Sequence, residues 1–202
     1  MARPREFEED SVLDAAVECF WSRGYEATSV RDLIERTGLT GASLYNAFGD
    51  KRSLYHKALE HYVAGSILSR MRQCEELPPS EAITVFFAEI LRRSLGDRQH
   101  KGCMLVNATL DVTPQDPKFQ AIVTGVLTRI EQFFLDALKA GQANGTITLS
   151  SPAADLARHL LGVLMGVRVL ARARPERALL EGIVATALAL LDRPDGQPVA
   201  KM

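Results

Sequence analysis

The segment from Gly38 to Gly49, Gly-Leu-Thr-Gly-Ala-Ser-Leu-Tyr-Asn-Ala-Phe-Gly, carries no charged residue. It does carry Thr40, Ser43, Tyr45 and Asn46, whose hydroxyl and amide groups both donate and accept hydrogen bonds, and Arg31, Arg36, Lys51, Arg52 and Lys57 lie on either side of it. This distribution suits the reading of DNA, in which flanking cations hold phosphates and set the register while uncharged polar side chains reach base edges. The outline is two short helices joined by Gly38-Leu39-Thr40 and packed on a longer preceding helix, as in a helix-turn-helix unit. By spacing alone the same outline fits an ordinary αα-corner of an all-α protein. The residue types favour the DNA reader.

Cys103 is the second residue with chemistry to argue about. It follows His100-Lys101-Gly102 at the start of a short helix, where backbone amides and a neighbouring cation lower a thiol pKa. Two readings stand side by side: a thiol that senses electrophiles or oxidants, and a buried structural thiol. His56, His61 and His159 show no spacing that would support metal ligation by His100 and Cys103, so neither a metal nor a cofactor is expected. A cysteine-dependent enzyme using Cys103 would need a base and an orienting partner. No Cys-His-Asp arrangement and no Gly-rich phosphate loop is recognisable. The third class, an all-α interaction adaptor, would lack the uncharged reader and its flanking cations.

Hydrophobic periodicity supplies the elements that must position these groups. The first helix is expected from about Phe7 to Arg23, with Leu13, Ala16, Val17, Phe20 and Trp21 on one face and Gly24 ending it. The second begins at Thr28-Ser29, with Ser29 and Asp32 at capping-box spacing, turns Val30, Leu33 and Ile34 inward and stops at Gly38. The third runs from about Gly41 to Ala47, with Leu44 and Phe48 facing the other two. Asp50 caps a fourth helix that passes through Leu54, Ala58, Leu59 and Tyr62 to about Arg72. Leu77-Pro78-Pro79 closes the first half.

Five more helices are expected. Ser80 caps one carrying Ile83, Phe86, Phe87, Ile90 and Leu91. A short one follows Gly102, and a long one from Asp116 to Gln142 carries Phe119, Ile122, Val123, Val126, Leu127, Ile130, Phe133 and Phe134. Ser151-Pro152 and Pro175 open the last two, and Asp192 to Met202 reads as a polar tail. Strand signals are confined to the alternating run Thr146 to Ser150, after the Asn144-Gly145 turn. The fold class is therefore all-α with about nine helices: a three-helix helix-turn-helix domain over residues 1–50 and a larger helical domain over 51–202.

Composition bounds the partners. Lys plus Arg against Asp plus Glu is 24 against 25, a net charge of −1, so any nucleic-acid surface must be local. The longest uncharged apolar run, Gly182 to Leu191, is about half the ~20 residues that span a bilayer, and Met1 to Asp10 holds no signal-peptide core. A cytoplasmic protein is expected. Cys19, Cys74 and Cys103 match neither a disulfide framework nor a zinc ribbon.

Gly-Tyr-Glu-Ala-Thr-Ser-Val-Arg-Asp-Leu-Ile at 24 to 34, Thr-Gly-Leu-Thr at 37 to 40, Ser-Leu-Tyr-Asn-Ala-Phe at 43 to 48 and Asp-Lys-Arg-Ser-Leu at 50 to 54 resemble the N-terminal signature of TetR-family transcriptional regulators. The resemblance covers about the first sixty residues, and Gly-Cys-Met-Leu-Val-Asn at 102 to 107 looks like one branch of the family. It implies a double-stranded DNA operator as partner, a repressor released by a small-molecule effector or thiol-reactive compound, and a homodimer through the last two helices. Position by position, it implies that Thr28 offers its hydroxyl and nearby amides to a phosphate. Thr40, Gly41, Ala42 and Ser43 would enter the major groove, Tyr45 and Lys51 would bind phosphates, and Asn46 would reach a base edge or the backbone. Arg3 and Arg5 would reach an adjacent minor groove or form a disordered tip. Two departures from the family pattern, Ala47 and Gly41, remove potential DNA contacts and shift affinity toward Lys51, Arg52 and the N-terminal arm.

The last two helices are apolar nearly all round, whereas a surface helix needs one apolar face. Gly162, Gly166, Gly182, Ala185 and Ala189 permit close helix approach, so the second face meets either another copy or the interior of a buried hairpin. In the middle helices Phe86, Phe87, Ile90, Met104, Phe133, Phe134 and Met165 line a ligand pocket or form plain core, with Asn107 and Arg168 as polar candidates.

Overall fold

The computed structural model describes residues 8–111 and 116–192; Arg3, Arg5 and most of the expected polar tail lie outside them. Every regular element among the described residues is helical: α1 (Glu9–Arg23), α2 (Val30–Thr37), α3 (Gly41–Phe48), α4 (Lys51–Tyr62), α5 (Ser69–Glu75), α6 (Pro79–Gly96), α7 (Met104–Asp111), α8 (Pro117–Ala143), α9 (Ala153–Ala173) and α10 (Arg177–Ala189). A π-helical stretch, Val63–Leu68, joins α4 to α5 without a break, so the described residues form nine helical runs, as the periodicity predicts. No helix among them is long and apolar enough to cross a membrane.

Contacts divide the chain into two compact units, Met1–Leu68 with Cys103–Thr124, and Ser69–Gly102 with Gly125–Met202. The expected boundary between residues 50 and 51 does not coincide with this division. The reason lies in the first unit, where α1 packs along α4. Val12, Leu13, Ala16 and Phe20 of α1 are buried with Leu54, Tyr55, Ala58, Leu59 and Tyr62 of α4. Leu33 of α2 and Leu44 and Phe48 of α3 complete that core, and Val17, Trp21, Val30 and Ile34 are half-buried at its edge. The short α7 packs on α1 and α4 and brings Cys103, Met104, Leu105 and Val106 into the same unit.

In the second unit α6, α9 and α10 pack on one another. Its centre is aromatic: Phe86 meets Phe134 edge-on at 5.3 Å and Phe87 stacks on Phe134 at 5.6 Å, both favoured arrangements of ring quadrupoles. Two local expectations change. Ser80 does not cap α6; Pro79 takes the first helical position with no side-chain cap before it, where its missing N–H costs nothing. Residues 146 to 150 form no strand, because the N–H groups of Thr146 and Ile147 both donate to the Gly141 carbonyl, at 2.8 and 3.0 Å, and fold the segment back over the end of α8.

That fold-back needs a residue without Cβ at position 141, since a Cβ there would lie 2.6 Å from Ile147 Cγ1. Gly141→Ala should therefore destabilise the protein by about 1–3 kcal/mol through overpacking. Gly125→Ala, in the same helix but with open space around its Cβ position, should be neutral or stabilising by up to about 1 kcal/mol. Urea unfolding midpoints of the two variants check this, and equal shifts would show that helix propensity alone governs both sites.

Candidate nucleic-acid interface

The local chemistry of the turn between α2 and α3 sets the surface. Ser29 caps α2: its hydroxyl oxygen accepts the Asp32 N–H at 3.1 Å and the Asp32 carboxylate accepts the Ser29 N–H at 2.8 Å, completing the capping box. Gly38 ends the helix at φ 70°, a left-handed conformation that costs glycine nothing. Thr40 then caps α3, its hydroxyl oxygen accepting the Ser43 N–H at 3.2 Å while its proton goes to Ser43 Oγ at 3.0 Å. Asp50 caps α4 by accepting the Ser53 N–H at 2.7 Å, which holds its carboxyl below the usual range. At three helix starts in close succession, a side chain thus satisfies the third amide of its own helix.

The residues singled out in the sequence divide by exposure. Thr40, Ala42 and Asn46 are exposed, Ser43 is half-buried, and Tyr45 is 43% exposed, so the uncharged polar groups form an open surface on α3. Thr28 is turned the other way. It is fully buried, and its hydroxyl donates to the Gly24 carbonyl at 2.7 Å, so the hydroxyl is committed inside the fold. Asp32 occupies the adjacent helix start. Gly41 is half-buried, and a Cβ on it would meet Ile34 Cδ1 at 3.3 Å, so its lack of a side chain lets α3 close on α2. Lys51 reaches across the head of α4: its Nζ lies 4.5 Å above the centre of the Tyr25 ring and donates to the Glu26 carbonyl at 3.4 Å.

Arg52 and His56 hold a partner that the sequence does not reveal. Asp116, 4% exposed, takes Arg52 Nε at 2.7 Å and His56 Nε2 at 2.8 Å on one carboxylate oxygen and the Phe119 N–H at 3.0 Å on the other. Asp116 is thereby the cap of α8, and its carboxyl is held well below the usual range, first by Arg52 and then by the Phe119 amide and His56. The Asp116-Pro117 pair, a capping residue before a first-position proline, is the signal that marks the cap; nothing in the sequence marks its partners.

Cys103 sits immediately before α7 and is 3% exposed, with the Tyr62 hydroxyl donating to its Sγ at 3.6 Å. Burial pushes the thiols of Cys19 and Cys74 up. Of the expected pocket residues, Met104 and Asn107 belong to the first unit, whereas Phe86, Phe87, Ile90, Phe133, Phe134, Met165 and Arg168 belong to the second. Phe86, Phe87, Ile90 and Phe134 are close-packed core, while Arg168 is buried and donates to Ser94 Oγ at 3.1 Å. The five small residues of the last helices part company. Gly182 lies in an open apolar groove with Val163, Leu179 and Ile183, while Ala185 and Ala189 line a separate cleft with Ser80, Thr84 and Asp192. Gly162 and Gly166 have open space at their Cβ positions.

Two short helices meeting at a left-handed glycine, the second with an uncharged polar face, define a helix-turn-helix protein of the DNA-binding class. Residues 12–58 match the model of bacterial regulatory proteins of the tetR family, and residues 79–187 match the tetracyclin repressor-like C-terminal domain. The chain belongs to the tetR family of transcriptional regulators. It is 30% identical over 190 residues to the HTH-type transcriptional repressor ComR of Escherichia coli, with 93% of this chain and 90% of ComR covered. It is 31% identical over 198 residues to the HTH-type transcriptional regulator YezE of Bacillus subtilis, covering 95% of this chain and all of YezE. Among solved structures it resembles a cysteine mutant of the TetR-family regulator CifR complexed with 26-bp double-strand operator DNA, at a TM-score of 0.81 and 31% identity over 93% of this chain and 98% of that one.

The capping box carries a pH signature. Hydrogen bonds from Ser29, followed by Arg23, lower the Asp32 carboxyl from 3.8 to about 2. A carboxyl whose folded pKa is depressed stabilises the fold in full above its unfolded pKa, and that contribution disappears as pH falls from about 4 through about 2. Asp32→Asn should therefore lower the urea midpoint at pH 6 and converge on the parent protein toward pH 2. A constant offset across that range would show that the charge on Asp32 does not matter.

Proposed function

We propose that the protein is a repressor that binds a pseudo-palindromic operator as a homodimer and leaves it when a small ligand or thiol-reactive compound acts. The observation that carries the DNA reading is the head and face of α3, where Thr40, Ala42, Tyr45 and Asn46 are exposed and none of them is charged. In this reading Thr40, Ala42 and Ser43 at the head of α3 enter the major groove, Asn46 reaches a base edge or the backbone, and Tyr45 and Lys51 bind phosphates. Gly41 serves by letting α2 and α3 close. The name of ComR supports the repressor part of this reading and the operator complex of CifR supports its DNA-binding part.

A homodimer is supported by the groove on α9 and α10. Val163, Leu179 and Ile183 are only half-buried in a single chain, and Leu190 is exposed, which is the unpartnered apolar surface that a second copy would cover. Paired recognition helices then read two half-sites at a spacing set by the dimer. For release, the candidate trigger is Cys103, a buried thiol whose Sγ accepts a hydrogen bond from the Tyr62 hydroxyl. An electrophile such as N-ethylmaleimide adds the sulfur to one alkene carbon and the thiol hydrogen ends on the other, with nothing lost. The added bulk must break the Tyr62 hydrogen bond and part the head of α7 from α4.

Operator binding measured by anisotropy against a duplex of the region upstream of the protein's own gene tests both parts. Lys51→Ala should weaken binding to every duplex and reduce the slope of log affinity against log salt by about 0.9, one phosphate contact. Ser43→Ala should alter base preference instead. An unchanged slope in Lys51→Ala would remove its phosphate role. Cys103→Ser should keep the affinity of the untreated protein and lose the response to N-ethylmaleimide, while Cys19→Ser and Cys74→Ser keep both; a retained response in Cys103→Ser would place the trigger elsewhere.

A further inference from the structure

We propose that Asp116 is a positioning residue for operator binding, which holds the head of α4 through Arg52 and His56 so that Lys51 stays seated against the Tyr25 ring. The proposal rests on the DNA-binding reading above and adds to it a residue outside the helix-turn-helix.

Two parallel links run from the first turn of α8 to α4. One is ionic: a single carboxylate oxygen of Asp116 receives Arg52 Nε at 2.7 Å and His56 Nε2 at 2.8 Å, and these residues are four apart, hence on one face of α4. The other is aromatic: Phe119 stacks on Tyr55 at 6.1 Å, and Tyr55 in turn tilts against Tyr25 at 4.9 Å. Tyr25 lies in the loop between α1 and α2, and its ring carries the Lys51 ammonium at 4.5 Å. The chain of contacts therefore begins at the cap of α8 and ends on a cation assigned to a DNA phosphate.

Sequence adjacency makes the arrangement sensitive. Arg52 directly follows Lys51, so the residue that Asp116 grips and the residue that meets phosphate share the first turn of α4. Asp116 is also held at its own end, because its second oxygen accepts the Phe119 N–H and caps the start of α8. His56 and Asp116 are both buried, so water has little access to the hydrogen bond between them, while the Arg52 side chain, 53% exposed, reaches the same carboxylate from the solvent side. Without the carboxylate, the first turn of α4 keeps its Asp50 cap but loses its anchor, and Lys51 samples positions away from the phosphate.

The test compares the full-length parent, Asp116→Asn, Lys51→Ala and the double variant on the same upstream duplex at several salt concentrations. Asp116→Asn keeps the shape of the side chain and an oxygen for the Phe119 amide while removing the charge. It should lose about tenfold in affinity, the size of one charge-assisted contact, and should lower the salt slope by about 0.9, as Lys51→Ala does. The double variant should bind no more weakly than Lys51→Ala alone, because both changes remove the same contact. If Asp116→Asn melts below the assay temperature, His56→Gln, which leaves the Arg52–Asp116 pair in place, should show a smaller loss that again vanishes in the Lys51→Ala background. Parent-like affinity and slope in Asp116→Asn, or losses that add, would overturn the positioning role alone. A parent protein that bound no duplex would overturn the DNA-binding reading and this proposal together.

Discussion

Two helices of eight residues each, α2 and α3, are too short to persist in water unaided, so the exposed polar face of α3 depends on the burial of Leu33, Leu44 and Phe48 in the core of α1 and α4. Each such side chain contributes about 1.5–3 kcal/mol when fully buried, more than the ~1 kcal/mol of a typical cap. The same burial fixes orientation. With Leu44 and Phe48 pointing inward, Ala42, Tyr45 and Asn46 must point outward. A helix anchored by two apolar residues half its length apart has little freedom to roll, so the polar face of α3 is presented as a rigid surface.

Charge is then distributed around that surface rather than on it. The whole chain is close to neutral, and the cations that follow α3 have partners: Lys51 the Tyr25 ring, Arg52 Asp116, Lys57 the Phe48 ring and Glu9. An ammonium over a ring face is attracted by about 0.5–1 kcal/mol when exposed, less than a contact with phosphate supplies. In the proposed reading, Lys51 is thus pre-positioned for a phosphate without being locked. Asp116 differs in kind, since its three donors make it part of the frame on which α4 rests.

The second unit is organised by a different principle. Four phenylalanines, Phe86, Phe87, Phe133 and Phe134, pack against one another in edge-to-face, tilted and stacked pairs. Rings so enclosed hold α6 and α8 together. The apolar surface left over lies on α9 and α10, where the glycines have no neighbour at their Cβ positions.

What local chemistry decides was legible in the order of the amino acids alone. Ser29 with Asp32, Gly38, Thr40 and Asp50 mark where three helices start and where α2 stops, because caps and left-handed turns involve groups only a few residues apart. The apolar spacing in α1, α6 and α8 likewise announced which faces would be inward, since helical periodicity carries that information. The same order of residues left open that Thr28 faces the interior while its neighbour Ser29 stays exposed, because adjacent residues of similar chemistry differ only in what the fold packs over them. Nor did it reveal that Asp116 joins Arg52 and His56, some sixty residues earlier, or that Ala185 and Gly182 face different clefts. Those arrangements belong to the folded chain for a physical reason: an ion pair and a packed face exist only where distant helices meet, and no periodicity within one helix encodes its neighbour.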